Sequence, residues 1–325
     1  MRVLIDTSFA HRGPSGTQVY IDNLVVALRG LGVDVAEAAG RTGRHLNLAA
    51  EAAWQLRLAR AARGADVLHH PLPARAPGAT PQVITVHDLA FERVPECFNA
   101  RFRRFAAWEH RWAARGAAGV ITPSEATAAD VRSLWGISAV TVAPHGPGQA
   151  PPPNRAEARH FLYVGDAEPR KNLGRLLAAY AQYRASADAP LDLVIAGRAA
   201  IAAAPGVRVD ARPDLADLHR HAAALVLVSL HEGFGLPVLE AMHAGTPVLA
   251  SDIAVLHEVC GDAARFADPF DVASIAAALA DLGGVPPLRE ALRRRGTARA
   301  AQFSWERSAR AHVAAYEAAL ASRAR

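Results

Sequence analysis

The feature that most constrains the fold of this chain is an apolar run that passes directly into a glycine turn and a helix. The run from Ala222 to Leu230 is almost entirely apolar, which is typical of a parallel strand buried on both faces. Gly233 and Gly235 then permit a sharp turn and a close approach of the backbone to a ligand, and Pro237 suits the first turn of a helix. The pattern predicts a unit of an open α/β sheet, whose ligands bind where the strands end.

Two acidic residues frame this turn. Glu232 lies in the loop after the predicted strand, and we expect Glu240 in the first turn of the helix that follows. A carboxylate can accept two hydrogen bonds from adjacent sugar hydroxyls, and the N–H groups of the loop and helix start favour anionic or hydroxyl-rich groups. The alternative is that Glu240 caps the helix and Glu232 is solvated. We favour sugar recognition because the turn, the helix start and the paired acids coincide.

A second strand-to-helix loop carries two adjacent cations. The strand is predicted from Phe161 to Gly165, and Arg170 and Lys171 come just before the helix that begins near Leu173. Lys171 is the only lysine among 36 basic residues, so the chain uses arginine almost wherever it needs a cation. A compact charge on a flexible stem suits a phosphate, and the pair suits a diphosphate leaving group. The alternative is a solvated pair.

The first part of the chain shows the same α/β pattern. A strand from Met1 to Thr7, a glycine-containing loop and a helix from Val19 to Gly30 predict the opening of a doubly wound domain. The loop lacks a full dinucleotide-binding fingerprint, so an ordinary strand-to-helix turn explains it equally well. Further strands are predicted at residues 33–38, 66–70, 82–86, 119–122 and 140–143. His87 follows one of them, where a core or capping histidine is the alternative to a ligand contact.

Length and the position of a linker indicate two domains. The chain has 325 residues, enough for two separate cores. The segment from Gly146 to Asn154 is its clearest linker. We therefore predict an N-terminal domain at residues 1–150, a C-terminal domain at residues 151–303 and a further helix at residues 304–325.

Cysteine usage and hydropathy favour a cytoplasmic protein. Cys97 and Cys260 are far apart in sequence, which suggests neither a disulfide framework nor a metal site. We find no apolar run as long as a membrane span, and the N-terminus is expected to be a strand rather than a signal peptide. The net charge is +5, and we expect no nucleic-acid partner.

One predicted helix, from Cys97 to Gly116, has an unusual composition. Its aromatic and basic side chains form two stripes: Phe98, Phe102, Phe105 and Trp112 in one, and Arg101, Arg104, Trp108, Arg111 and Arg115 in the other. One interpretation is a helix that packs its aromatic residues on the core and leaves its arginines in solvent. The other is contact with an anionic membrane surface or a phosphate-bearing lipid acceptor. Both interpretations place the arginines away from the core.

Three strings together give the chain a family resemblance. They are Glu-Gly-Phe-Gly-Leu-Pro with its Glu-x7-Glu spacing at Glu232 and Glu240, Tyr-Val-Gly-x4-Arg-Lys-Asn-Leu from Tyr163, and Thr-Val-His-Asp-Leu around His87. The chain resembles the retaining glycosyltransferases of family 4, in the GT-B superfamily. The resemblance implies two Rossmann-like doubly wound parallel-sheet domains that face each other across a cleft, with the helix at residues 304–325 packing back on the first domain.

The resemblance also implies roles for individual residues. As catalytic residues it implies His87, Arg170, Lys171 and Glu232. As donor-binding residues it implies Gly16, Gly165, Arg170, Lys171, Arg198, Glu232, Gly233, Phe234, Gly235, Leu236 and Glu240. On the acceptor side it implies Gly13, Ser15, Thr17 and Ser124, although Ser124 can equally be a helix cap. Glu240 would hold the ribose, Glu232 and His87 the donor sugar, and the cation pair the diphosphate.

The implied reaction moves a hexose, with a mannose-like sugar as the best guess, from a GDP-, UDP-, ADP- or TDP-linked donor. The acceptor would be a hydroxyl of a saccharide or lipid-linked glycan, and the anomeric configuration would be retained. We see no Asp-x-Asp pair in a convincing place after a strand, so the reaction is expected to need no metal or other cofactor. The protein would be cytoplasmic, with peripheral attachment to the inner face of the membrane through the Phe98–Arg115 helix as a further expectation.

Other functions remain open from the sequence. A nucleotide-sugar 2-epimerase of GT-B fold and a catalytically silent nucleotide-sugar-binding protein would use the same residues. A protein that acts only at the membrane surface, through its arginine-rich helix, is a third alternative. The chain is short for the family, and His145-Gly146 stands where the family more often has Asn-Gly.

Overall fold

The computed structural model describes residues 1–8, 16–40, 48–148 and 157–323. Its contacts divide the chain into two compact units. Unit 1 comprises Met1–Glu92, Phe98–Gly148 and Ser304–Arg325, and unit 2 comprises Arg93–Cys97 and Gln149–Phe303. Of the predicted linker, only residues 146–148 are among those described.

Each unit contains a six-stranded sheet whose neighbouring strands are parallel. The strands of unit 1 are β1 Arg2–Asp6, β2 Asp34–Ala38, β3 Val67–His70, β4 Gln82–Thr85, β5 Gly119–Thr122 and β6 Val140–Val142. Those of unit 2 are β7 His160–Val164, β8 Asp192–Ala196, β9 Val207–Asp210, β10 Ala222–Leu227, β11 Val248–Ser251 and β12 Arg265–Ala267.

The order of the strands identifies both sheets as doubly wound. Unit 1 has the order β2-β1-β3-β4-β5-β6, and unit 2 has the order β12-β11-β10-β7-β8-β9. In unit 2 the chain moves outward from β7 to β9, then returns to the other side of β7 with β10. Ligands of such sheets bind at the carboxyl ends of the strands where the order reverses. In unit 2 this position lies between β7 and β10.

The helices that connect these strands begin and end close to the predicted positions. They are α1 Gly16–Gly30, α2 Leu48–Ala61, α3 Ala90–Arg93, α4 Ala100–Arg115, α5 Glu125–Trp135, α6 Leu173–Ser186, α7 Leu215–His221, α8 Leu236–His243, α9 Ala254–Cys260, α10 Val272–Gly284, α11 Pro286–Ala300 and α12 Trp305–Arg323. Short 3-10 turns occur at Ala62–Gly64, Pro95–Cys97 and Pro169–Lys171. No helix in the described part of the chain is long and apolar enough to cross a bilayer.

The core of unit 1 includes α12, although this helix follows unit 2 in the sequence. Tyr316 of α12 is fully buried with Tyr20 and Leu24 of α1 and with Ile5 of β1. The Tyr316 hydroxyl also lies 2.8 Å from Nδ1 of His69 on β3. Because α12 buries apolar side chains and makes a buried polar contact with the sheet of unit 1, it belongs structurally to that unit.

The core of unit 2 lies between its sheet and the pair α6 and α10. Tyr180 of α6 and Leu279 of α10 are buried against Phe161 of β7 and Val226 of β10. The strongly apolar sequences of β7 and β10 are explained by this burial, because central parallel strands are covered on both faces.

The helix α4 departs from the sequence prediction in its start and in its buried face. It begins at Ala100, because Asn99 caps it by accepting a hydrogen bond from the Arg101 N–H. Its buried face consists of alanines: Ala106, Ala113 and Ala114. The interpretation that its aromatic residues pack on the core is therefore wrong for those within the helix, whereas Phe98, which precedes the helix, is partly buried against the core. Phe102, Phe105, Trp108 and Trp112 are 37–64% exposed.

Candidate active site

The carboxyl edge of the unit 2 sheet brings together the two loops that the sequence singled out. Arg170 and Lys171 lie in the 3-10 turn after β7, and Glu232 lies in the loop after β10. Because β7 and β10 are neighbours where the strand order reverses, these loops lie side by side. The Leu230 N–H donates a hydrogen bond to the Arg170 carbonyl at 2.8 Å, which joins the loops directly.

Asn172 fixes the loop of the cations, a role that sequence reasoning missed. Its backbone adopts a left-handed conformation with a φ of 61°, which asparagine tolerates better than most residues. Its side-chain amide donates to the Val228 carbonyl at 2.9 Å and to the Pro269 carbonyl at 2.7 Å. One buried side chain therefore ties the loop after β7 to the loops after β10 and β12. The asparagine that directly follows the Arg-Lys pair in the quoted string was the available signal.

The two cations and two carboxylates of these loops form one ionic cluster. Lys171 Nζ lies 2.6 Å from Glu232 Oε1, and Arg170 Nη1 lies 3.6 Å from Glu232 Oε2. Arg170 Nε also contacts Glu168 at 3.0 Å. The side chains of Glu232, Lys171 and Arg170 are 8%, 13% and 20% exposed, so solvent screens their interaction only weakly. The alternative that Glu232 and the cation pair are merely solvated is not what this geometry shows.

The charge of Glu232 is maintained by its neighbours. Burial alone would raise the pKa of the carboxyl group, but attraction to Lys171 and Arg170 outweighs it, and the pKa is lowered overall. Glu232 is thus an anion at neutral pH. Removing either partner from such a buried pair leaves an uncompensated charge, which is strongly destabilising.

The glycine turn after β10 positions the start of α8. Gly235 has a φ of 92°, and a Cβ there would lie 2.8 Å from Leu256 Cδ2, so the position requires glycine. The Phe234 ring is buried edge-on against Phe303, with centroids 5.8 Å apart. Only the backbone of Phe234, with that of the buried Gly233, is therefore suited to contact a ligand.

Glu240 lies one position farther along its helix than predicted. Because α8 already begins at Leu236 with Gly235 as its cap, Glu240 falls in the second turn rather than the first. It is partly buried. The prediction that it holds a ribose concerns its side chain and is not altered by this shift.

The neighbouring loops after β7 and β8 approach each other closely. Gly165 and Gly197 both have positive φ values, of 143° and 154°, and a Cβ on Gly197 would collide with the Gly165 carbonyl. Arg198 is held by Asp166, with Nη2 and Nε at 2.6 and 3.2 Å from one carboxylate oxygen. This ion pair lowers the pKa of Asp166. Arg198 is 74% exposed and lies outside the ionic cluster.

In unit 1, His87 follows β4 and presents one buried nitrogen. Its Nε2 atom is buried without a hydrogen-bond partner among the described residues, while the ring also hydrogen-bonds to the Pro71 carbonyl. The carbonyl therefore accepts from Nδ1, and Nε2 of the neutral ring is an acceptor. Burial lowers the pKa of His87 to about 4, so the ring is neutral at pH 7. Tyr20 packs edge-on against it at 4.8 Å.

The residues predicted on the acceptor side are described only in part. Gly13 and Ser15 lie outside the described residues, while Gly16 and Thr17 open α1. Ser124 is buried and caps α5, with its side chain accepting a hydrogen bond from the Thr127 N–H. The capping interpretation of Ser124 is thus confirmed, and an acceptor contact stays a prediction.

Comparison with a solved structure shows the class of fold. Sucrose-phosphate synthase from Thermosynechococcus elongatus superimposes with a TM-score of 0.80 over 99% of this chain and all of that chain, at 18% sequence identity. The predicted GT-B fold is confirmed by this agreement.

Family models identify the chain more narrowly. Residues 14–147 match the model of "Glycosyltransferase Family 4", and residues 149–299 match that of "Glycosyl transferases group 1". The chain belongs to the family 4 glycosyltransferases.

Two characterised relatives share substantial sequence with the chain. The O-antigen chain mannosyltransferase B of Escherichia coli is 36% identical over 49% of this chain and 45% of its own length. The MMP alpha-(1->4)-mannosyltransferase of Mycolicibacterium hassiacum is 31% identical over 74% of this chain and 66% of its own length. The chain thus spans about half to two thirds of these relatives.

Proposed function

We propose that the protein is a hexosyltransferase that moves a mannose-like sugar from a nucleotide-diphosphate sugar to an acceptor hydroxyl. The acceptor is a saccharide or lipid-linked glycan in the synthesis of a cell-surface polysaccharide or glycoconjugate. The observation that carries the proposal is the cluster of Lys171, Arg170 and Glu232 where the strand order of unit 2 reverses. The names of the two relatives support mannose and do not favour an epimerase.

The cluster supplies both kinds of contact that such a donor needs. Lys171 and Arg170 stabilise the charge that develops on the diphosphate as its bond to the sugar breaks. Glu232 and the backbone of Gly233 and Phe234 accept and donate hydrogen bonds to sugar hydroxyls, and Glu240 holds the ribose. We propose that the reaction retains the anomeric configuration without a protein nucleophile. The acceptor attacks from the face that the diphosphate leaves, and a phosphate oxygen takes its proton.

For His87 of unit 1, we propose the donor-sugar contact that the family resemblance implies. A neutral imidazole with Nε2 as an acceptor can receive a hydrogen bond from a hydroxyl of the donor sugar. It carries no positive charge at neutral pH, so it does not oppose the positive charge that develops on the sugar ring in the transition state.

A donor panel tests the proposal. Thermal shift with GDP-, UDP-, ADP- and TDP-linked hexoses should show stabilisation by one donor, in proportion to RT ln(1 + [L]/Kd). Transfer is then measured with that donor and an oligosaccharide acceptor, by mass spectrometry of the product. The anomeric configuration is read by NMR. A protein that binds no donor, or that only epimerises it, would contradict the proposal.

We further propose that α4 binds an anionic membrane surface, where a lipid-linked acceptor would be found. Phe105, Trp108 and Trp112 form a continuous exposed ridge, with Trp108 and Trp112 stacked 6.3 Å apart. Amphipathic helices of this kind insert aromatic residues among lipid headgroups. The flanking Arg101 and Arg104 are exposed, and neither forms an ion pair within the described ranges. Such free guanidinium groups attract anionic lipids.

Vesicle co-sedimentation tests this surface. Vesicles of phosphatidylglycerol and phosphatidylcholine should bind the protein at low salt and release most of it at high salt. The double variant Trp108→Ser/Trp112→Ser should lose binding. Val26→Ser removes another exposed apolar side chain, on α1, and should not. Equal binding of the two variants to the vesicles would contradict the proposal. Self-association of the protein through α4, measured by sedimentation velocity, would also contradict it.

A further inference from the structure

The ionic cluster poses a problem for any diphosphate that binds there. Its two cations already face two carboxylates: Lys171 and Arg170 face Glu232, and Arg170 also faces Glu168. The cluster is therefore close to electrically neutral. A diphosphate that approached Lys171 would also meet the Glu232 carboxylate, and the repulsion between two anions is strong where solvent screening is weak.

An intact sugar donor changes this balance, whereas a nucleoside diphosphate does not. The hydroxyls of a donor sugar can donate hydrogen bonds to Glu232 and so replace its contact with Lys171. Lys171 Nζ then has its hydrogens available for the diphosphate. A nucleoside diphosphate has no sugar beyond its phosphates, so Glu232 has nothing to replace the ammonium group that it would lose.

We infer that Glu232 is a counter-ion that exchanges between Lys171 and the donor sugar, and that this exchange makes the site prefer the intact donor over the nucleoside diphosphate product. The inference rests on the proposed function. It gives Glu232 a second role besides sugar contact. After transfer the sugar leaves with the acceptor, the carboxylate returns to Lys171, and the diphosphate loses its cation and is released.

The structure fits this exchange in two respects. Lys171 is the chain's only lysine, and a flexible ammonium with three equivalent donors can change partner more readily than a planar guanidinium. Glu232 approaches Lys171 at 2.6 Å but Arg170 only at 3.6 Å. Arg170 is meanwhile held by Glu168 at 3.0 Å, so the lysine is the partner that the exchange involves.

Binding measurements on Glu232→Gln test the inference without catalysis. Glutamine keeps the shape and one acceptor oxygen but removes the charge. Isothermal titration with the donor that the panel identifies (GDP-, UDP-, ADP- or TDP-linked) and with its nucleoside diphosphate gives the ratio of product to donor affinity. We expect the variant to bind the nucleoside diphosphate about tenfold more tightly, with no such gain for the intact donor. Glu240→Gln is the matched control: it should weaken both ligands alike and leave their ratio unchanged.

The outcomes separate this inference from the proposed function. If the unmodified protein binds none of the four donors of the panel, both fail. If it binds one of them and Glu232→Gln weakens the nucleoside diphosphate or leaves the ratio unchanged, only the exchange is refuted. Circular dichroism shows whether Glu232→Gln folds. If it does not, Glu232→Asp is the second variant, because the shorter side chain keeps the negative charge but moves it away from Lys171. It should give a smaller gain in nucleoside diphosphate affinity, and an unchanged ratio would overturn the inference.

Discussion

At the scale of single residues, the molecule concentrates its most consequential charges in a few buried atoms. Most ion pairs of the described residues involve exposed side chains, such as Arg310 with Glu306, and exposed pairs contribute little to stability. Lys171 and Glu232 differ because both side chains are more than four fifths buried. A substitution at either position therefore changes an interaction that water does not replace.

Replacing Lys171 by alanine should lower the rate of sugar transfer at least about tenfold, which corresponds to about 1.4 kcal/mol of lost transition-state stabilisation. The measurement is kcat/KM with the donor identified by the panel. Because Glu232 would keep only the more distant Arg170, the melting temperature should fall as well. Arg208→Ala removes an exposed cation of β9 and serves as control. Full activity in purified Lys171→Ala would contradict the role that we propose.

If Lys171 and Arg170 supply the positive charge at the diphosphate, as we propose, transfer should survive removal of divalent metals. We expect most of the sugar-transfer activity to remain after dialysis against EDTA. The activity is measured with the same donor and acceptor. Loss of activity that Mg²⁺ or Mn²⁺ restores would show that Lys171 and Arg170 are insufficient.

At the scale of elements, the strand-to-helix loops decide where these residues meet. Lys171 and Glu232 are far apart in sequence, and they lie together because β7 and β10 are adjacent in the sheet. The sequence predicted both loops, since apolar runs and glycine turns are local signals. It could not supply the strand order or the ion pair, which depend on the packing of distant segments.

The helix α4 shows which features of a helix can be predicted from its local sequence pattern. Its periodicity predicted an amphipathic helix, but not which face is buried. Alanine fits either face, and here Ala106, Ala113 and Ala114 occupy the core while Trp108 and Trp112 do not. Similarly, the sequence predicts Glu240 in the first turn of α8, because Pro237 suits the start of a helix. The left-handed Gly235 begins the helix a residue earlier.

The turn before α8 offers a test at this scale. Gly235→Ala introduces a Cβ at a φ of 92° and 2.8 Å from Leu256 Cδ2, so unfolding free energy should fall by about 1–3 kcal/mol. Gly174→Ala is the matched control, because it lies in α6 with no atom near the new Cβ. That variant should be neutral or slightly stabilised. Chemical denaturation measures both, and equal stabilities would contradict the conformational argument.

At the scale of the whole molecule, unit 1 contains a buried set of neutral histidines, of which the sequence pattern singles out only His87. His69 of β3 hydrogen-bonds to Thr85 of β4 and to Tyr316 of α12, and His312 of α12 contacts the Tyr20 hydroxyl at 2.7 Å. Burial lowers the pKa of His87, His110 and His312 to about 4 in each case. The fold therefore keeps uncharged several side chains that the unfolded chain would protonate near pH 6.5.

The stability of unit 1 should consequently fall as the pH is lowered. Between about pH 6.5 and pH 4 the unfolded state binds more protons than the folded state, so unfolding becomes easier with acid. Each histidine with a folded pKa of about 4 should cost roughly 1.4 kcal/mol at pH 5.5. Urea denaturation at pH 7.5, 6.5 and 5.5 measures the trend. A midpoint that does not change over this range would show that these histidines are not held neutral.

The assignment of α12 to unit 1 has a consequence for synthesis of the protein. The ribosome makes β1 to β6 first, then all of unit 2, and only afterwards the helix that covers Tyr20 and His69. Unit 2, apart from its small piece at residues 93–97, is continuous and can fold while translation proceeds. Until α12 emerges, the core that it shares with α1 and the sheet of unit 1 is only partly covered, so we expect the nascent chain to depend most on chaperones at this stage.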